Sequence, residues 1–163
     1  MEQQAVSLKQ CISEITGKQI AMIGKDFIYL DDKTKIESEV INEANILAFK
    51  KMKDNKIEML ATTYRTESTK NITYKNVVYK GGESSASAIA GAVTLAKSLQ
   101  ELEVKIIDIN DDENFMSFDE ALQLSGMIAK SWRDAFFRYK ELKRQISNAA
   151  TVEELDLISW EEV

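Results

Sequence analysis

A regular, largely apolar stripe in the last third of the chain constrains the fold more than any other feature. Phe118, Ala121, Ser125, Ile128, Trp132, Ala135, Tyr139, Leu142, Ile146 and Ala149 follow one another in alternating steps of three and four. That spacing puts all of them on one side of an α-helix, which turns once in about 3.6 residues. The stripe therefore predicts a long helix whose seam needs a partner helix to cover it. Its start lies just upstream. Ser117 and Glu120 have the spacing of a capping box, in which each side chain takes a backbone N–H of the other, so the helix begins at Phe118.

Candidate partner helices precede it. From Lys35 to about Thr66 there is no glycine or proline, and Asp31-Asp32-Lys33-Thr34 offers N-cap chemistry before that stretch. Ile36, Val40, Ala44 and Leu47 keep one face, and Phe49, Met52, Leu60 and Tyr64 continue it after a rotation. Lys53-Asp54-Asn55-Lys56 lies between the two sets, either as a break between two helices or as an exposed turn of one. A second helix is expected from Ser84 or Ser85, as N-cap, to about Leu102. Its small residues, Ala86, Ala88, Ala90, Gly91, Ala92 and Ala96, would let another backbone come close.

Short β-rich runs separate these helices. Ile72-Thr73-Tyr74 and Val77-Val78-Tyr79 flank Lys75-Asn76, a pair suited to a two-residue hairpin turn because asparagine tolerates the left-handed conformation. Gly81-Gly82 ends that hairpin. Val104 to Ile109 is β-branched, residues 110–114 turn, and Phe115-Met116 returns, giving another hairpin. Near the N-terminus, Lys18 to Ile23 and Asp26 to Leu30 predict a hairpin across Gly24-Lys25. The segment Ala5 to Ile15 before Gly17 reads as a short helix or a strand. Thr151 and Glu154 repeat the capping-box spacing for a last short helix through Leu155 and Ile158. The expected fold is α+β: a helical C-terminal domain, residues 35–163, with short β-hairpins between helices, preceded by a small N-terminal hairpin or attachment segment, residues 1–34.

Composition narrows function mainly by exclusion. Histidine is absent, which removes Ser-His-Asp and Cys-His catalysis and histidine-containing zinc sites together. With 27 Asp and Glu against 21 Lys and Arg, a net charge of -6 and no basic block, nucleic acid is not an expected partner. No apolar run approaches the ~20 residues that span a bilayer, and the first residues lack the basic and apolar regions of a signal peptide. No membrane partner is expected, and synthesis in the cytoplasm is. Cys11, the single cysteine, has no intrachain disulfide partner and reads as a buried small apolar side chain.

Four groups invite a chemical reading. Asp108, Asp111, Asp112 and Glu113 supply oxygen ligands of the kind calcium takes, but without EF-hand spacing they read as a hairpin turn. Gly81-Gly82 before a helix resembles a phosphate loop, yet it lacks the P-loop lysine and reads as a hairpin-to-helix turn. Asp119-Glu120 and Glu153-Glu154 lie in first helical turns, where the helix dipole favours negative charge. No catalytic, cofactor-binding or metal site is assigned.

The aromatic group Trp132, Phe136, Phe137 and Tyr139 is different, because positions 136 and 137 point about 100° apart and the group covers more than one face. These four are the candidate partner-contact residues. Part of the group is core. The remainder either meets another protein or is covered within the chain by the helices from Ile36 and Ser85. Arg133, Arg138, Lys140, Lys143 and Arg144 make the same half of the helix basic, which suits the helix dipole or an acidic partner surface.

From about Ile46 to Trp160, roughly two-thirds of the chain, the order of parts resembles a domain of unknown function at the C-terminal ends of bacteriophage tail-fibre and other tail-associated proteins. The resemblance rests on the hairpin Ile72-Thr73-Tyr74-Lys75-Asn76-Val77-Val78-Tyr79 and on Ser84-Ser85-Ala86-Ser87-Ala88-Ile89-Ala90-Gly91-Ala92-Val93 opening a helix. It continues with Asp112-Glu113-Asn114-Phe115-Met116-Ser117, Phe136-Phe137-Arg138-Tyr139-Lys140-Glu141-Leu142-Lys143, Ile146-Ser147-Asn148-Ala149-Ala150-Thr151-Val152-Glu153-Glu154-Leu155 and Trp160. The family's hairpin usually turns on Asn-Gly where this chain has Lys75-Asn76, and its acidic residue before the small helix is replaced by Gly81-Gly82-Glu83.

The resemblance implies a phage tail context and no reaction. The expectation is a non-enzymatic structural component of a tail, at a fibre or baseplate attachment, that contacts other phage tail proteins and forms a homo-oligomer. It would be made in the bacterial host cytoplasm and carried in the virion tail. The alternative is a tail-fibre assembly chaperone that is absent from the finished particle.

Overall fold

The computed structural model describes residues 8–17, 20–23, 28–30 and 38–161. The elements run α1 (Leu8–Thr16), β1 (Ile20–Ile23), β2 (Ile28–Leu30), α2 (Ser38–Ser68), β3 (Ile72–Tyr74), β4 (Val77–Tyr79), α3 (Glu83–Ser98), β5 (Val104–Ile107), β6 (Glu113–Met116), α4 (Phe118–Asn148) and α5 (Val152–Leu157). The fold is α+β, mostly helical, and its described strands form three two-stranded antiparallel hairpins, β1–β2, β3–β4 and β5–β6. The expected turn at Gly24-Lys25, the N-cap residues 31–34 and the division of the chain at residue 34 lie outside the described residues.

By contacts the chain divides into two compact units, Met1–Glu58 with Ile146–Ile158, and Met59–Gln145 with Ser159–Val163. In the first unit, the segment before Gly17 is a helix: α1 buries Cys11 and Ile12 against Val40, Ile41, Ala44, Leu47 and Ala48 of α2. The thiol is therefore a core group, as its solitary occurrence suggested. An ion pair between Glu14 and Lys51 ties the same two helices together. Ile146, Ala149, Leu155 and Ile158 are also buried. Thr151 caps α5 by accepting from the Glu154 N–H at 3.2 Å, while the Glu154 carboxylate accepts from the Ala150 N–H at 2.7 Å. The polar tetrad 53–56 proves to be a turn of one continuous helix. Lys53 folds its stem back so that Nζ lies 4.8 Å from the centre of the Phe49 ring and donates to the Ser147 carbonyl at 3.0 Å.

The second unit holds the larger core. Ala86, Ile89, Val93 and Ala96 of α3 pack with Tyr79, Val104, Ile106 and Met116 of the hairpins and with Ala121, Leu124 and Ile128 of α4. The stripe on α4 thus finds its partner in the small-residue helix, and the two backbones come close enough for Ser125 Oγ to donate to the Ala86 carbonyl at 2.8 Å. Ala88 and Gly91, by contrast, are exposed rather than packed.

The hairpin β3–β4 turns on Lys75 and Asn76, with φ of 49° and 65°, and pairs Tyr74 with Val77, as the sequence predicts. Beyond it, Gly81 passes so close to the preceding loop that a Cβ would run into the Lys70 carbonyl and lie 2.9 Å from the Thr69 carbonyl oxygen. Gly82 adopts φ 98° and is the N-cap of α3, so the helix starts one residue before the serines expected to cap it, without a side-chain cap.

The helix also ends earlier than expected. Leu99 is its C-cap, Gln100 turns left-handed at φ 59°, the Glu101 N–H returns to the Ala96 carbonyl at 3.0 Å, and the Gln100 N–H to Lys97 at 3.2 Å. This is a Schellman closure built on glutamine, and the absence of glycine there hid it from the sequence. The capping box of α4 forms as expected. Ser117 N–H donates to Glu120 Oε2 at 2.9 Å and the Glu120 N–H donates to Ser117 Oγ at 3.4 Å.

Candidate partner-contact surface

The four aromatic residues singled out from the sequence sit on adjacent turns of α4, and the fold gives them different surroundings. Tyr139, on the seam, stacks on Tyr64 of α2 with ring centres 5.0 Å apart and planes at 17°. Tyr64 also meets Phe136 edge-on at 6.4 Å, and Phe136 in turn stacks with Trp132 at 5.7 Å. Trp132, Phe136 and Tyr139 are half-buried. Phe137 meets Phe136 in a T-shaped arrangement, at 5.5 Å and 74°, and leaves 62% of its surface in solvent. Tyr64 is the member that the sequence did not single out for this site. Its signal was its place on the second apolar face of the preceding helix.

Cations surround these rings. Lys140 Nζ lies 5.4 Å from the centre of the Phe136 ring, a cation–π distance, and Arg133 is exposed one residue after Trp132. The guanidinium of Arg138 donates to the carbonyls of Ser159 and Trp160, both at 3.3 Å, and so fastens the last residues of the unit to α4. Arg144 grips Glu141 with two bonds of 2.9 and 2.7 Å and, with Gln145, holds that carboxyl down to about 2. Lys130 pairs with Asp134 at 2.6 Å. The basic half of α4 therefore mixes cations tied to carboxylates or carbonyls with Lys140, which lies over a ring of the aromatic group.

The acidic loop is organised by one of its own members. Asp108 Oδ1 accepts the N–H groups of Asn110 at 2.7 Å and Asp112 at 3.1 Å, and Asn114 reaches Oδ2 at 3.4 Å. These bonds, the one from Asn110 foremost, lower the Asp108 pKa and let Asp111 take φ 65° at the tip. The turn thus spans residues 108–112, earlier than the expected 110–114, and Glu113 and Asn114 belong to β6. Among the described residues no three His, Cys, Asp or Glu side chains stand where they could hold a metal ion together.

A cleft of about 380 Å³ opens beside this loop, with Tyr79, Lys80, Ser85, Ile89, Lys105 and Asp108 among its walls. Burial, followed by the nearby Asp108 charge, raises the pKa of the Tyr79 phenol, so this hydroxyl stays protonated. Two lysines and the aspartates Asp108 and Asp111 balance each other around the cleft.

Among the described residues no helix is long and apolar enough to cross a membrane. No family model, curated protein or solved structure matches this chain.

Proposed function

We propose that the protein is a non-enzymatic structural component of a bacteriophage tail, at a fibre or baseplate attachment, acting in the virion through contacts with other tail proteins. The observation that carries the reading is the aromatic surface of α4, where Phe137 stands in solvent beside half-buried Trp132 and Phe136 with Arg133 and Lys140 around them. Aromatic residues and arginine are the types enriched where proteins meet, and an exposed aromatic on a rigid helix binds without first losing much freedom. The order of sequence motifs from Ile72 to Trp160, which resembles tail-associated domains, supports the tail context.

Mass spectrometry of purified particles from the phage that encodes the chain tests the reading. A fixed ratio to a tail protein of known copy number is the expected result. Abundance in infected cells together with absence from particles would overturn it in favour of an assembly chaperone.

A further inference from the structure

The second unit carries another exposed apolar surface besides the one on α4, and its charge is opposite. Between Glu101 and Glu113 the chain has six acidic residues and one lysine. Within and beside that stretch, Leu102 is 91% exposed, Phe115 is 63% exposed, and Ile107 and Ile109 are also open to solvent. Strand alternation accounts for two of them: Val104, Ile106 and Met116 face the core, which turns Lys105, Ile107 and Phe115 outward. On α4, the stretch Lys130–Arg144 has six cations and two acids around Phe136 and Phe137. Both surfaces are exposed in the same chain, so neither covers the other.

We infer that these two surfaces are the halves of one contact between copies of this chain: the acidic β5–β6 hairpin of one copy docks on the basic aromatic face of α4 in the next. Each surface supplies what the other lacks. Phe115 and Leu102 offer apolar area for Phe137, and Asp112 and Glu103 offer carboxylates to Arg133 and Lys140. Opposite charge brings the right faces together and disfavours like with like. Because the two patches differ, the contact is heterologous, and it propagates from copy to copy until a rotation closes a ring or an open filament grows. This inference rests on the proposed structural role and names the second copy as an occupant of the α4 surface.

Two charge-reversed proteins test it, Arg133→Glu with Lys140→Glu, and Glu103→Lys with Asp112→Lys. These substituted side chains are exposed, so both proteins should melt as the parent does. In native mass spectrometry and light scattering, the parent should form oligomers at about 50 mM salt that dissociate toward monomer at about 500 mM, as screened charges require. Each variant alone should self-associate at least about tenfold more weakly, since two attractive charges become repulsive.

Mixed together, they should associate again, because the acidic hairpin of the first meets the unaltered α4 face of the second, and the two reversed faces are once more opposite in charge. A parent that stays monomeric at low salt overturns the inference, as does a mixture no more associated than its parts. The solution assays and the particle measurement fail separately. A monomeric protein present in particles sinks only the self-contact, whereas an oligomer absent from particles sinks only the virion role.

Discussion

From Phe118 to Ile128 the apolar stripe of α4 is packed under α3 and two hairpins, whereas from Trp132 to Tyr139 the same three-four spacing carries half-buried aromatic rings beside exposed Phe137. The periodicity is equal in the two halves. The residues available to cover it are not. Ala86, Ile89, Val93 and Ala96 let α3 approach the first half closely enough for Ser125 to bond to the Ala86 carbonyl. Across from the second half, Tyr64 is a large ring that stacks on Tyr139 and meets Phe136 by its edge. A small-residue partner permits close backbone packing and full burial, while a ring-on-ring contact leaves the outer members of the aromatic group in solvent.

That contrast breaks most sharply at Ile128, which is fully buried. Ile128→Ala should cost roughly 2–5 kcal/mol, the usual loss for a buried branched side chain that leaves a cavity, read from urea unfolding. If the cost is no larger than for an exposed residue, the first half is not the sealed one. Trp132→Ala should cost less, about 2 kcal/mol, because the indole is half-buried and full truncations of buried aromatics reach roughly 3–5 kcal/mol. A loss as large as that for Ile128 would place Trp132 in the core and shrink the open surface to Phe137.

Smaller again is the effect of the carboxyl that starts the helix. The Lys75 ammonium, followed by the Ser117 N–H and hydroxyl, holds the Glu120 carboxyl down to about 2 from its ordinary 4.5. A pKa lowered by folding contributes stability that is fully present above the unfolded value and is lost as pH falls through the folded one. Glu120→Gln should therefore be less stable than the parent near neutral pH. The difference should fade between about pH 4.5 and 2, tracked by thermal melts across that range. A difference that stayed constant over the window would mean that the capping geometry, not the charge, is what Glu120 contributes. The smallest change in stability belongs to Phe137→Ser, within about 0.5 kcal/mol because the ring is mostly in solvent. The same substitution should remove self-association in light scattering, which separates a surface residue from a core one.

Several elements were legible because a single local rule decides them. Lys75-Asn76 sits between two β-rich triplets, and a two-residue loop there forces positive φ on both. The Ser117–Glu120 and Thr151–Glu154 spacings each satisfy orphan N–H groups within one turn, so both helix starts follow from a handful of neighbouring residues. Elsewhere local rules conflicted or were silent. The start of α3 moved from the serines to Gly82, whose φ of 98° suits glycine, and the end moved from Leu102 to Ser98 because Gln100 took the left-handed position normally signalled by glycine.

At the candidate site, the identities of Trp132, Phe136, Phe137 and Tyr139 were readable, but their division into stacked and exposed members was not. That division depends on Tyr64, which lies in a different helix far away in sequence. The acidic loop shows the same limit on a smaller scale. Its composition is plain, yet which aspartate organises it depends on how the backbone closes around Asp108.

The sequence by itself determined where each helix and hairpin of residues 38–161 lies to within a few residues, and that the face of α4 from Phe118 to Ile146 is largely apolar. Periodicity, capping and turn propensity act over a few neighbouring positions, and the order of residues contains them completely. Tertiary structure decided that residues 8–16 are a helix, that α2 runs through its polar tetrad unbroken, and that α3 covers the first half of the α4 stripe. It also decided that Tyr64 stacks on Tyr139 in the second half while Phe137 is left in solvent. Each of those outcomes depends on the shape and distance of a partner surface brought in from elsewhere in the chain, where burial and packing outweigh local preference.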